Sequence, residues 1–86
     1  MGCGGGLMDQ AFEYIIKNGG IDTEKSYPYT AMDGICSFKS NSVGATIKSY
    51  QDVASGDESA LQQAVATVGP ISVAIDASLM TFQLYA

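Results

Sequence analysis

The sequence predicts a mixed α+β fold in which helix and ordered loop give way to strand-dominated sequence near residues 41–43. Three observations predict it. Apolar doublets recur four residues apart from Leu7 to Ile16. Alternating apolar residues run through 43–53 and again through 71–76. Between those two runs lies a second stretch of helical period with its own start and stop signals. Helices and half-buried strands leave these two periodicities in a sequence because their side chains repeat every 3.6 and every 2 residues.

The chain opens on Gly2-Cys3-Gly4-Gly5-Gly6. Glycine lets another backbone come close, and a cysteine within such a loop suggests a tether. Leu7/Met8, Ala11/Phe12 and Ile15/Ile16 then form one apolar stripe, which predicts a helix from Leu7 to Asn18. Asp9 in the first turn and Lys17 in the last both suit the helix dipole, and Glu13 precedes Lys17 in the favourable i, i+4 order. Asn18-Gly19-Gly20 supplies the stop. From Ile21 to Asn41 no period is sustained. Tyr27-Pro28-Tyr29 fixes an extended piece, because the residue before proline avoids the α region, and Asp33-Gly34 signals a turn. The region reads as an ordered loop pinned by aromatics and by Cys36.

Val43, Ala45 and Ile47 share one side of a strand predicted within 43–53. Ser55-Gly56-Asp57-Glu58 fits an S-x-x-E capping box, Leu61, Ala64, Val65 and Val68 give a second helical stripe, and Gly69-Pro70 ends it. Ile71, Val73 and Ile75 then alternate with the smaller Ser72, Ala74 and Asp76. That pattern predicts a strand with its large residues in a core and its small face toward something that needs room. Residues 77–86 end without a cap or turn, so the chain is expected to continue. The change of character at 41–43 is the expected domain boundary, giving 1–42 and 43–86.

Composition excludes several functions. The net charge is −5 with no histidine, which removes the basic footprint of a nucleic-acid binder. No apolar run approaches the roughly 20 residues of a membrane span. Without an imidazole the chain holds neither the usual general base nor a histidine-rich metal site, and no cofactor motif is present. Glycines alone point to a tight turn, and a phosphate-binding reading is the weaker one because no strand precedes them and no Walker lysine follows. The carboxylates Asp9, Asp22, Asp52 and Asp57 read as caps or surface groups. The two cysteines, Cys3 and Cys36, leave three possibilities open: a bond to each other, free thiols, or bonds to cysteines elsewhere.

Taken in order, Gly2-Cys3-Gly4-Gly5-Gly6-Leu7-Met8-Asp9 with Ala11-Phe12, Asn18-Gly19-Gly20-Ile21-Asp22, Ser26-Tyr27-Pro28-Tyr29 and the run from Ala64 to Asp76 resemble the papain-like cysteine proteases, within them the cathepsin L-like branch. Gly4 stands where that family usually has asparagine. The resemblance implies the central segment of a two-domain fold. The end of the helical domain would occupy 1–42, the start of an antiparallel β domain 43–86, and the active cleft would lie between the domains. It implies a hydrolase that cuts peptide bonds. In that family the nucleophile comes earlier and the histidine and asparagine follow it by about 130–150 residues. No catalytic residue is therefore assigned here, and the 86 residues alone are expected to be inactive.

By the same resemblance, Gly5 and Gly6 dock the substrate backbone, and Leu7, Met8 and Ala74 line an apolar S2-type pocket. Asp76 and Ala77 lie on the leaving-group side. Cys3 and Cys36 are half-cystines whose partners lie outside the chain. Peptide or protein substrates, a propeptide and cystatin-type inhibitors are the implied partners, and the implied location is lysosomal or secreted. Two other readings differ in class: a silicatein-like homologue with serine as nucleophile, and a non-enzymatic acidic binding module closed by a Cys3–Cys36 bond.

Overall fold

In a computed structural model, which describes residues 2–86, the chain forms two compact units divided between Asp52 and Val53. The first contains a 3-10 turn at Gly2–Gly4, helix α1 (Met8–Asn18) and strands β1 (Ile21–Asp22) and β2 (Val43–Ala45). The second contains α2 (Glu58–Val68) and the one-turn α3 (Met80–Gln83).

Helix α1 follows the apolar doublets closely. Met8, Phe12, Ile15 and Ile16 are half-buried along one side. The Leu7 amide, which would otherwise be left without an intrahelical partner, donates to Gln10 Oε1 at 3.3 Å. At the other end Gly19 adopts a left-handed conformation with φ 81°. The Gly19 N–H donates to the Ile16 carbonyl at 3.3 Å and the Gly20 N–H to that of Ile15 at 3.0 Å, which is a Schellman stop.

Gly20 then lets the chain turn into the sheet. Its φ is 144°, and a side chain there would run into Val43 and would lie 2.9 Å from the Ala45 carbonyl oxygen. β1 and β2 pair antiparallel, Ile21 opposite Ala45 and Asp22 opposite Val43, so Gly44 is the extra residue of a bulge. The strand predicted within 43–53 thus shortens to three residues. Ladder bonds form only where a partner strand lies alongside, and β1 offers two residues.

The loop between the strands is braced by its own polar groups. Asp22 Oδ2 accepts the Lys39 N–H at 2.8 Å, Tyr27 Oη accepts the Ser37 N–H at 2.9 Å, and Glu24 Oε1 accepts the Tyr29 N–H at 3.1 Å. The aromatic pinning predicted from Tyr27-Pro28-Tyr29 is carried by Tyr27, whereas Tyr29 is 84% exposed.

In the second unit α2 forms as its period predicts, but the cap differs. Asp57, not Ser55, is the N-cap: its Oδ1 accepts the Ala60 N–H at 2.9 Å. The turn at Ser55–Gly56, with Gly56 at φ 76°, carries the chain past Ser55 before the helix begins, so Glu58 falls in the first position instead of the third. The predicted strand over 71–76 does not form among the described residues. A strand is stable only when its N–H and C=O groups meet a neighbour, and none pairs with this stretch. Val73 and Ile75, expected in a core, are 56% and 65% exposed. Among the described residues no hydrophobic side chain is fully buried.

Candidate peptide-binding site

The residues singled out from sequence fall into two sets, one in each unit. In the first unit Gly5, Gly6, Leu7 and Met8 form the approach to α1. Gly5 has φ 97°, a conformation that side-chain-bearing residues seldom adopt. A Cβ built on Gly5 meets nothing within 4 Å, and one on Gly6 reaches only Gln10 Oε1 at 4.0 Å. The backbone of this pair is therefore open to an approaching chain. Leu7 is 63% exposed beside it, while Met8 is half-buried at the head of the α1 stripe. Gly4, like Gly5, has open space where a side chain would sit.

In the second unit Ala74, Asp76 and Ala77 are all exposed. Asp76 Oδ1 accepts the Ser78 N–H at 3.0 Å, a side-chain turn that orders the backbone after 76. Hydrogen bonds from the Ser78 side chain and backbone hold the Asp76 carboxyl below its ordinary value, so it is ionised over the neutral range. A separate open depression of about 400 Å³ is lined by Thr81, Phe82 and Tyr85, and it includes none of the predicted site residues.

Neither cysteine is set up as a nucleophile. Cys3 and Cys36 are exposed free thiols here. The Asp33 carboxylate beside Cys3 pushes its thiol up by hydrogen bonding, with a smaller contribution from burial. That favours the thiol over the reactive thiolate. Cys36 Sγ lies 3.9 Å from Tyr14 Oη, and this contact raises the Tyr14 phenol. The sequence contains no histidine to serve as base. Among the described residues no group of three or more His, Cys, Asp or Glu side chains is arranged to hold a metal ion, and no helix is long and apolar enough to cross a membrane.

A second polar cluster escaped the sequence reading. Tyr50 Oη donates to Glu13 Oε1 at 2.8 Å, and the Tyr50 ring lies 5.9 Å from that of Phe12. The Asp9 carboxyl is raised, chiefly by hydrogen bonding from Asp52 and then by burial and the charges of Asp52 and Glu13. These pairs link positions 37 or more residues apart, so no local pattern announces them.

What the open glycine pair and the apolar residues beside it belong to is answered by comparison with known proteins. The pattern of the papain family cysteine proteases matches residues 1–86. A cathepsin L-like peptidase of Aedes aegypti is 63% identical over 84 residues, covering 98% of this chain and 25% of the relative. Cathepsin L1 of Drosophila melanogaster is 62% identical over 98% of the chain and 23% of its own length. Cysteine proteinase 5 of Dictyostelium discoideum is 62% identical, with 98% and 24% covered. The chain thus spans about a quarter of the length of these relatives. With its helices, its small antiparallel sheet and a match that runs from end to end, this chain belongs to the papain family of cysteine proteases.

Proposed function

We propose that these 86 residues are the central segment of a cathepsin L-like cysteine endopeptidase, supplying substrate-binding surface and no catalytic group. The observation that carries the reading is the open backbone at Gly5-Gly6, directly before an apolar pair, in a chain that matches the family over its full extent. An extended peptide binds such a backbone through main-chain hydrogen bonds, as an added strand does, and side-chain pockets beside it give specificity. Gly5 and Gly6 hold the substrate backbone. By the family resemblance, Leu7 and Met8 of the first unit offer apolar surface to the second residue before the cut bond, Ala74 of the second unit is assigned to that residue's pocket in the whole enzyme, and Asp76 and Ala77 are assigned to the leaving-group side.

The whole enzyme cleaves peptide bonds through a thiolate, an acyl-enzyme and a histidine acid/base that lie outside these residues. Residues 1–42 close its helical domain and 43–86 open its sheet domain. Cys3 and Cys36 are tied to cysteines of the rest of the protein, which fits an oxidising lysosomal or secreted location. A propeptide and cystatin-type inhibitors are partners of the whole enzyme. The peptidase names of the relatives support a cysteine nucleophile over the serine of a silicatein-like homologue.

Two measurements test this. The purified 86-residue chain is expected to leave a dipeptidyl fluorogenic substrate uncut, and hydrolysis above the blank overturns the assignment of the catalytic groups to other segments. In the intact protein Ala74→Phe fills the pocket and is expected to lower kcat/KM for substrates with a bulky second residue by about tenfold or more. An unchanged preference removes Ala74 from the pocket.

A further inference from the structure

We propose that Gln10 is a positioning residue of the peptide-docking edge: by holding the Leu7 amide it fixes the direction in which the Gly6 carbonyl meets a substrate backbone. In this role, which rests on Gly6 docking the substrate as proposed above, Gln10 touches no reacting atom and acts only through the main chain.

The Leu7 N–H and the Gly6 carbonyl belong to one peptide unit. Resonance keeps that unit planar, and the described peptide bonds are trans, so its N–H and C=O point in opposite directions. A bond that captures the N–H therefore aims the carbonyl. Gln10 Oε1 accepts the Leu7 N–H at 3.3 Å, and the same oxygen lies 4.0 Å from where a Gly6 Cβ would sit. The Gln10 side chain thus stands on the N–H side of the unit and leaves the carbonyl side open. The far side of Leu7 is held as well, because its carbonyl accepts the Ala11 N–H at 3.1 Å.

The backbone before Leu7 needs such an anchor. Gly4, Gly5 and Gly6 follow one another, and a Cβ on Gly4 or Gly5 meets nothing within 4 Å, so no side-chain packing steadies them. Glycine backbone has the most freedom to lose when a ligand orders it. A hydrogen bond from α1 removes part of that loss before the substrate arrives, which is how preorganisation adds to affinity. Helix geometry favours residue 10 for the task, because helical side chains lean toward the N-terminus and over the preceding turn. Gln10 is itself exposed, so no core packing competes for its amide. In a hydrogen-bonded strand pair, two facing residues exchange both N–H and C=O. The partner of Gly6 is then the substrate residue whose side chain meets Leu7 and Met8, the second before the cut bond.

The test is steady-state kinetics of the intact enzyme on a peptide substrate and on its depsipeptide twin, in which an ester oxygen replaces the N–H of the second residue before the cut bond. In the parent enzyme the ester forfeits its bond to the Gly6 carbonyl, and kcat/KM is expected to fall about two- to tenfold. Gln10→Met keeps the side-chain length and helix preference but removes the acceptor, and at an exposed position it leaves no cavity. It is expected to raise KM for the amide substrate about two- to tenfold with kcat little changed, and to shrink the ester penalty. Gln10→Glu retains an acceptor and is expected to hold KM and the ester penalty near the parent values. A parent enzyme indifferent to the ester overturns the docking reading of Gly6 and this role with it. If the parent discriminates but Gln10→Met keeps the parent's KM and ester penalty, the role of Gln10 alone is overturned. A Gln10→Glu variant as impaired as Gln10→Met overturns it too, since the acceptor is then not what matters.

Discussion

The two units of this chain hold themselves together by different means. In the first, side-chain hydrogen bonds span long stretches of sequence: Glu13 to Tyr50 across 37 residues, Asp22 to Lys39 across 17 and Tyr27 to Ser37 across 10. In the second, the described side-chain bonds join residues no more than five apart, as Gln83 Nε2 to the Ser78 carbonyl or Asp57 Oδ1 to the Ala60 amide. The difference shows in what each forms. Cross-links that enclose a loop bring β1 and β2 side by side, whereas purely local bonds produce helices and leave 71–76 without a ladder. Helical hydrogen bonds close within one turn, but a strand depends on a partner from elsewhere in the chain.

The largest effect that would break this contrast is expected at Gly20. Gly20→Ala puts a methyl group into Val43 and against the Ala45 carbonyl, at a φ of 144° that alanine avoids. The β1–β2 pairing should weaken by about 1–3 kcal/mol. Amide hydrogen exchange at residues 21–23 and 43–45 measures it, and unchanged protection would mean that the sheet is not held by this close approach.

Next comes the local cap of the second unit. Asp57→Ala removes the acceptor for the Ala60 amide and should cost α2 about 1 kcal/mol, with Asp57→Asn restoring most of it. The helical amide shifts of 58–68 report the change. An intact helix in the alanine variant would show that α2 does not rest on local bonds after all.

The smallest effect, and the sharpest reading of a single long-range link, concerns Tyr50. Its phenol is pushed up to about 12, chiefly by the hydrogen bond to Glu13, then by burial and by the neighbouring carboxylates. The folded state holds this proton more tightly than the unfolded chain. Its contribution is therefore complete below the ordinary tyrosine value of about 10 and is lost as pH rises from there through about 12. Absorbance titration should show Tyr50 among the late-ionising tyrosines, with Tyr14 also raised, and Glu13→Ala should return Tyr50 toward the ordinary range.

Much of the candidate site could be read before any coordinates. The succession from Gly5 to Met8 and the family pattern through Asp76 lie on contiguous sequence, and contiguous sequence is what a resemblance reads best. The acid cluster of Asp9, Glu13, Tyr50 and Asp52 could not be read that way. Asp9 and Asp52 looked like a cap and a surface group because each, taken with its neighbours alone, has no partner. The Ser55 cap was misplaced for a related reason: the S-x-x-E spacing was present, but Gly56 spends a residue on a turn that the spacing rule does not see.

By itself the sequence determined α1 and α2 and the Gly19-Gly20 stop, since these rest on interactions within one or two turns of backbone, although Val65 and Val68 of the predicted α2 stripe are exposed. It also determined which chemistry the chain lacks, because a sequence without histidine has no imidazole wherever it folds. Only the tertiary structure decided that β2 stops at Ala45, that Gly44 bulges, and that 71–76 stays without a ladder. It alone brought Tyr50 alongside Phe12 and Glu13. Each of those outcomes depends on which distant segment lies alongside, and alternation or charge along the chain carries no record of that.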